Sequence, residues 1–216
     1  MLVAVSGSSS GLGRAIAEKF LAEGHGVVGY DLLPASIEDP AYRHIVCDIR
    51  DELPEDARPD VQALVCCAGT QDDSQAIATN LEGTMRFAEA LVGAPSLRSV
   101  VFIASASART GSEFPRYAAS KAGVVGYMKN LALSLAPRGI TVNSISPGGV
   151  NTASNAHILE SEELHAAVLA ETLLGKWAEP EEVADLAYYL ATANRSITGE
   201  DILMDNGEML KSNFIW

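Results

Sequence analysis

Six short apolar runs recur along the chain, at residues 2–5, 27–30, 44–47, 61–67, 99–104 and 140–145. Each has strand length, and most are apolar at successive positions instead of alternating. That is the pattern of a strand covered on both faces. Helix-length stretches lie between them. Leu12, Ile16 and Phe20 fall at i, i+4 and i+8 before Gly24, a helix stop. Residues 79–91 and 117–135 carry helical patterns, and 183–190 places Val183, Leu186, Ala187 and Leu190 on one face. Strands alternating with amphipathic helices predict a parallel sheet with helices on both sides. Crossovers between parallel strands are right-handed, so the expected fold class is α/β with a doubly wound sheet.

The chain has 216 residues, which fits one domain spanning 1–216. The segment 53–59 is too proline-rich for a full crossover helix and predicts a short irregular link. Residues 153–176 interrupt the rhythm near the end, as a substrate lid at the sheet edge would. Fifteen Lys and Arg face 28 Asp and Glu, a net charge of −13. That balance argues against nucleic acid and against an anionic membrane surface as partners. No apolar window approaches the length of a membrane span. Cys47, Cys66 and Cys67 cannot build a disulfide framework, and residues 1–5 carry no basic leader. A cytoplasmic protein is expected.

Directly after the first run comes Ser6-Gly7-Ser8-Ser9-Ser10-Gly11-Leu12-Gly13, a G-x-x-x-G-x-G spacing. Glycines allow a sharp turn and close backbone approach. The helix that follows aims free N–H groups at whatever sits in the turn, and a pyrophosphate suits it. The same pattern can also do no more than cap a helix. Asp31 ends the second run, 18 residues after Gly13, where an acid can accept hydrogen bonds from ribose hydroxyls. Its carboxylate would repel a 2′-phosphate, and neither Ser10 nor Leu32 offers a cation, so NAD is expected over NADP. With this loop the doubly wound sheet becomes Rossmann-type.

Tyr117-Ala118-Ala119-Ser120-Lys121 is a Y-x-x-x-K at the head of a helix. Residues four apart share a helix face, so phenol and ammonium can be neighbours. A free phenol has a pKa of about 10 and is a poor base at neutral pH. A nearby cation favours the phenolate and makes a usable general acid/base. Upstream, the fifth run ends in Ile103-Ala104-Ser105-Ala106-Ser107, which puts a hydroxyl at the ligand-facing end of a strand. Such a hydroxyl can donate to an oxygen that gains negative charge. Downstream, Ser146-Pro147-Gly148-Gly149-Val150-Asn151-Thr152 offers a turn for the cofactor's other end.

With these motifs in this order, the chain resembles the short-chain dehydrogenase/reductase family over about residues 2–207. The resemblance implies a nicotinamide-dependent oxidoreductase, with a secondary alcohol or its ketone as small-molecule substrate. By resemblance, Gly7, Ser9, Ser10, Gly11, Leu12 and Gly13 form the cofactor loop, Asp31 selects NAD, and Asp48 with Ile49 lies beside the adenine. Ala68 and Gly69 close the Cys66-Cys67-Ala68-Gly69 segment, and Pro147, Val150 and Thr152 approach the nicotinamide. Asn80, Ser105, Tyr117 and Lys121 look like the catalytic set, with Asn80 supporting a proton-relay water; Tyr117 and Lys121 also count among the cofactor contacts, Lys121 holding the nicotinamide ribose. Asn143, the segment 175–183 and the segment 198–207 resemble further family signatures.

The chain also departs from that pattern. Cys66 and Cys67 replace two asparagines and cannot make their amide hydrogen bonds. Only ten residues, Thr70 to Thr79, separate Gly69 from Asn80, which shortens one rim of the cleft. Ala108 and Asn206 each stand where the family usually has glycine. Ser105 lies 12 residues before Tyr117, one fewer than usual, so Ser107 is a rival, though it is expected beyond the strand end. A non-catalytic NAD-binding sensor or scaffold, and an epimerase or dehydratase of the same family, are the alternative functions. His25, His44, His157 and His165 do not cluster with cysteines at ligand spacing, so no metal is expected. The two cysteines at 66 and 67 read as small buried strand residues with nothing to activate a thiolate. Residues 160–163 read as a helix start with acids near its positive end. The apolar tail at 212–216 is expected to dock on the protein's own core or at a subunit interface. A homodimer or homotetramer is expected; light scattering at micromolar concentration checks this, and a monomer overturns it.

Overall fold

The computed structural model describes residues 1–111 and 114–210. Seven parallel strands form one sheet in the order β3-β2-β1-β4-β5-β6-β7. They are β1 Leu2–Ser6, β2 Gly26–Asp31, β3 Tyr42–Val46, β4 Ala63–Cys66, β5 Ser99–Ile103, β6 Thr141–Pro147 and β7 Asp201–Met204. The helices are α1 Gly11–Ala22, α2 Thr84–Leu91, α3 Ser107–Thr110, α4 Pro115–Leu135, α5 Ala156–Leu159, α6 Glu162–Ala170 and α7 Pro180–Thr192. The apolar tail at 212–216 lies outside the described residues.

The parity of the strands explains their apolar runs. Val3, Val5, Val27, Ala63, Val65, Val101 and Ile103 pack on one face against α1 and α7. Ala4, Val28, Leu64, Cys66, Val100, Phe102 and Val142 pack on the other against α2 and α4. A strand buried on both faces needs apolar residues at both parities. Phe20 of α1 meets Tyr188 of α7 with ring centroids 5.3 Å apart. On the opposite face Tyr30 meets Phe87 edge-on at 5.0 Å, and its hydroxyl donates to the Ala57 carbonyl.

Three elements differ from the sequence reading. The seventh strand was not expected, because only Ile202, Leu203 and Met204 are apolar and it pairs on one side alone. Its first residue points a carboxylate inward: Asp201 Oδ1 accepts from the Ser144 and Ser146 hydroxyls, each at 2.7 Å. Asp201 Oδ2 takes Arg109 Nε at 3.0 Å, which ties α3 to the sheet. The helix expected over 79–91 opens as a wider π-helical stretch, Ile77–Gly83, before α2 proper. Such widened turns have no hydrophobic period of their own and recur at functional sites. The strand expected over 99–104 ends at Ile103, so Ser105 already lies past it.

The proline-rich link and the acidic helix start match their expectations. The proline-rich segment holds a single short turn, Glu55–Ala57. Ser161 caps α6, its side chain accepting from Leu164 N, with Glu162 and Glu163 in the first turn. Pro180 opens α7, and Glu179 and Glu182 form a reciprocal capping box there. Among the described residues no helix is long and apolar enough to cross a membrane. No cluster of three or more metal-ligating side chains occurs among them either.

Candidate active site

The sheet grows outward in two directions from the β1–β4 pair, so the loops after these two strands part. The crevice at their carboxyl ends is the ligand position in open α/β sheets. There the chain leaves a cavity of about 510 Å³. Gly7, Ser10, Gly11, Leu12, Gly13, Asp31, Asp48, Ile49, Ala68, Gly69, Pro147, Val150 and Thr152 line it, together with Ser105, Tyr117 and Lys121. Two expected site residues do not. Ser9 turns its hydroxyl to the Pro34 carbonyl at 2.9 Å, and Asn80 is buried behind Gly69.

The glycine loop is built for close approach. A Cβ on Gly13 would lie 2.1 Å from the Gly7 carbonyl oxygen, so α1 can pack this tightly on the loop only without a side chain there. Gly7 has φ +74°, and a Cβ on it would meet the Ala68 backbone at 2.9 Å. The first turn of α1 contains no acid, and its N-cap Ser10 makes no side-chain capping bond. Free N–H groups and a positive dipole end therefore face the cavity, as a pyrophosphate requires. At the end of β2, Asp31 Oδ2 accepts from Ser9 N and Oδ1 from Leu33 N, both at 2.9 Å. On the adjoining wall the Arg50 guanidinium grips Asp48 and holds its carboxyl below the usual carboxylate range. These residues fit a dinucleotide.

Ser6 binds the backbone at the second of the two cysteines. Its Oγ accepts from Cys67 N at 3.0 Å and Ala68 N at 3.1 Å, joining the ends of β1 and β4. Burial pushes the Cys67 thiol up to about 12, so it stays protonated at neutral pH. Asn143 bonds Ile197 O and Glu200 N, joining β6 to the chain before β7. Gly149 lies flat under Trp177, whose indole would be 2.1 Å from a Cβ at that position. This contact and the Val150–Ala178 bridge set the turn that carries Pro147, Val150 and Thr152.

Helix α4 brings up Tyr117 and Lys121. Lys121 is 6% exposed, and its Nζ donates to the Ile103 carbonyl at 2.9 Å. The same Nζ lies 5.8 Å from the centre of the Tyr117 ring. Burial, which penalises the charged ammonium, lowers the Lys121 pKa to about 8. Ser105 Oγ donates to Ser107 Oγ at 3.1 Å and accepts from Ser107 N at 3.2 Å. Ser105 lines the cavity, whereas Ser107 begins α3 and holds the Ser105 hydroxyl from behind. Asn80 Oδ1 accepts from Thr70 N at 2.7 Å, and its Nδ2 donates to Thr70 O at 2.9 Å and Ser120 Oγ at 3.3 Å. Both amide hydrogens are thus committed to protein partners.

The sequence reading missed several wall residues, among them Tyr30, Leu32, Cys47, Thr70, Gln71 and Asn155. Gln71 Nε2 donates to Asn155 Oδ1 at 3.3 Å, bridging the rim after β4 and the segment after β6. Gln71 stands two residues after Gly69, a signal that was present but carried no chemistry by itself. Asn155 lies inside the segment read as a lid.

A family model described as enoyl-(acyl carrier protein) reductase matches residues 57–208. The 3-oxoacyl-(acyl-carrier-protein) reductase of Salmonella typhimurium is 32% identical over 238 residues, covering 94% of this chain and 95% of the relative. A solved short-chain dehydrogenase/reductase of Brucella melitensis, described as glucose/ribitol dehydrogenase, has a TM-score of 0.84 at 26% identity, covering 96% of each chain. An Agrobacterium tumefaciens protein solved with bound NADP has a TM-score of 0.86 at 26% identity, covering 97% of this chain and 96% of that one. Fold, glycine loop and Y-x-x-x-K pair together define a nicotinamide-dependent oxidoreductase acting at CH–OH groups. The chain belongs to the short-chain dehydrogenase/reductase family.

The buried lysine makes stability depend on pH in a stated direction. Below about pH 8 the ammonium is charged in both the folded and the unfolded chain. Between about pH 8 and the ordinary value of 10.5, the unfolded chain keeps a proton that the folded chain has lost. Stability from this group therefore rises with pH across that window. Urea midpoints of wild type and Lys121→Met, compared at about pH 7 and about pH 10, should show the rise in wild type only. The same pH dependence in both proteins contradicts the burial argument.

Proposed function

We propose that this protein interconverts a secondary alcohol and its ketone with NAD as coenzyme, Tyr117 serving as general acid/base. The observation that carries this reading is the shared cavity. Ser105, Tyr117 and Lys121 open onto the same space as the glycine loop. A non-catalytic binding module has no need of that convergence.

When bound, the nicotinamide ring supplies the acceptor or donor of hydride. The chain's own residues manage the proton and the charge. Tyr117 Oη takes the hydroxyl proton of the alcohol, and returns it to the ketone oxygen in the reverse direction. The Lys121 ammonium stabilises the phenolate while that proton is away. Ser105 Oγ, which accepts from Ser107 N, turns its hydrogen from Ser107 Oγ to the same substrate oxygen as negative charge gathers there. Asn80 ties Thr70 to α4 through Ser120, and its proton-relay role rests on family resemblance.

Asp31 supports NAD. Its carboxylate stands at the end of β2 among backbone N–H groups, with Leu32 and Leu33 beside it; among the described residues that line the cavity no Lys or Arg adjoins it in the chain to hold a 2′-phosphate. Lys121 is the one cation among the described residues lining the cavity, and it is already bonded to Ile103 O. An uncharged hydroxylated substrate suits such a wall. Residues 153–176, which include α5 and α6, would cover it.

Tyr117→Phe should lower kcat by roughly 10²–10⁴-fold while coenzyme affinity stays within about threefold, since only proton transfer is removed. Full turnover in that variant removes Tyr117 from the mechanism. A screen of neutral alcohols and ketones, read by reduced-nicotinamide absorbance near ~340 nm, supplies the substrate for this comparison. Run with both coenzymes, wild type should prefer NAD. Asp31→Ser should shift that preference toward NADP by about tenfold or more, the effect of about 1.4 kcal/mol of repulsion. A wild-type preference for NADP overturns the assignment.

A further inference from the structure

Helix α4 carries both Tyr117 and Lys121, yet among the described residues its own sequence does not cap it. Phe114, the residue before it, has no side-chain acceptor, and Pro115 in the first position has no N–H to satisfy. The N–H groups of Arg116 and Tyr117 would be left without intrahelical partners. Both instead donate to one oxygen, Asp73 Oδ1, at 2.8 and 2.9 Å. The cap is thus supplied by a different segment, 44 residues upstream of Tyr117.

We propose that Asp73 is a positioning residue for the reaction: its carboxylate fixes the head of α4 and thereby the place from which Tyr117 reaches the substrate oxygen. The proposal rests on the reading of Tyr117 given above. Asp73 itself is held. Thr70 Oγ1 accepts from Asp72 N at 3.0 Å, and Asp72 Oδ1 accepts from Ser74 N and Ser74 Oγ at 2.9 and 2.7 Å. Thr70 is bound at both its N–H and its carbonyl by Asn80, and Asn80 Nδ2 also reaches Ser120. Ser120 Oγ in turn donates to the Tyr117 carbonyl at 2.7 Å. The segment 70–80 therefore grips the first two turns of α4 at two points, the Arg116 and Tyr117 amides and the Ser120 hydroxyl. The short connection between Gly69 and Asn80 is what brings an acid at 73 to this helix end.

A tyrosine in a first turn moves with that turn. A shift on the order of 1 Å in a proton-transfer partner costs up to about a hundredfold in rate without changing binding elsewhere. Among the described residues Asp73 Oδ1 bonds the head of α4 and not the glycine loop, so coenzyme affinity should change little.

The test compares Asp73→Ala, Asp73→Asn and Asp73→Glu with wild type and Tyr117→Phe, using the alcohol found in the screen. Asp73→Ala should lower kcat about tenfold with coenzyme Kd within about twofold of wild type. Asp73→Asn keeps an acceptor oxygen at the same reach and should recover kcat to within about threefold of wild type. Asp73→Glu keeps the charge but lengthens the arm by one methylene, should fall between them, and serves if the alanine variant does not fold. Hydrogen exchange at the Arg116 and Tyr117 amides should quicken in Asp73→Ala and not in Asp73→Asn. Wild-type kcat in Asp73→Ala overturns the proposal. So does an Asn variant as slow as Ala, which would make the charge and not the cap the cause. So does a parallel loss of coenzyme affinity, the sign of general damage. Full turnover in Tyr117→Phe defeats the functional reading separately and takes this role of Asp73 with it; amide exchange would then report the cap alone.

Discussion

The parallel pairing of β1 with β2 on one edge and β4 on the other is the constraint from which the site follows. Val3, Ala4 and Val5 are wholly buried between two helical layers, so this strand has no freedom to tilt or slide. Loops leaving β1 and β4 must part at their carboxyl ends, because the chain builds the sheet outward in both directions from there. The Ser6 hydroxyl bridges that parting by accepting two backbone N–H groups from the end of β4. It does so where this chain carries Cys66 and Cys67, whose thiols make poor hydrogen-bonding partners. The glycine loop, the coenzyme wall and the approach of α1 are all referenced to this joint.

The second half of the site depends on a cost, the burial of an ammonium without a carboxylate. Lys121 donates to the Ile103 carbonyl, and burial depresses its pKa. Such a group is tolerated where it serves a reaction. Its companion hydroxyls are arranged in depth. Ser105 faces the cavity, Ser107 holds Ser105, and α3 behind them is tied to the sheet through Arg109 and Asp201. Asp201 also gathers the Ser144 and Ser146 hydroxyls, so a buried carboxylate at the start of β7 steadies the segment that presents Ser105. Asp73 does the corresponding work for Tyr117 from the opposite rim.

The degree to which the site was legible differs residue by residue. Gly7, Gly11, Gly13, Asp31, Tyr117 and Lys121 were readable because each sits at a fixed offset from a strand or helix end, and all six line the cavity. Ser105 was chosen over Ser107, and it is Ser105 that faces the cavity, although β5 ends earlier than its apolar run suggested. Ser9 carries the same motif yet turns away to Pro34, which no spacing could reveal. The strand at Asp201–Met204 went unread because an edge strand loses the two-sided burial that makes a continuous apolar run. The π-helical stretch Ile77–Gly83 went unread because periodicity reports only the regular helix that follows it.

The layered α/β architecture, the glycine-rich turn and the pairing of phenol with lysine follow from the order of residues alone. Each depends on local period or on residues a few positions apart, and backbone geometry converts such spacing directly into direction. Only the tertiary structure decided what holds those groups in register. Ser6 meets Cys67 across 61 positions, Asp73 meets Tyr117 across 44, and Arg109 meets Asp201 across 92. Contacts of that separation depend on how the sheet brings distant loops to one edge, and no local pattern in the chain encodes them.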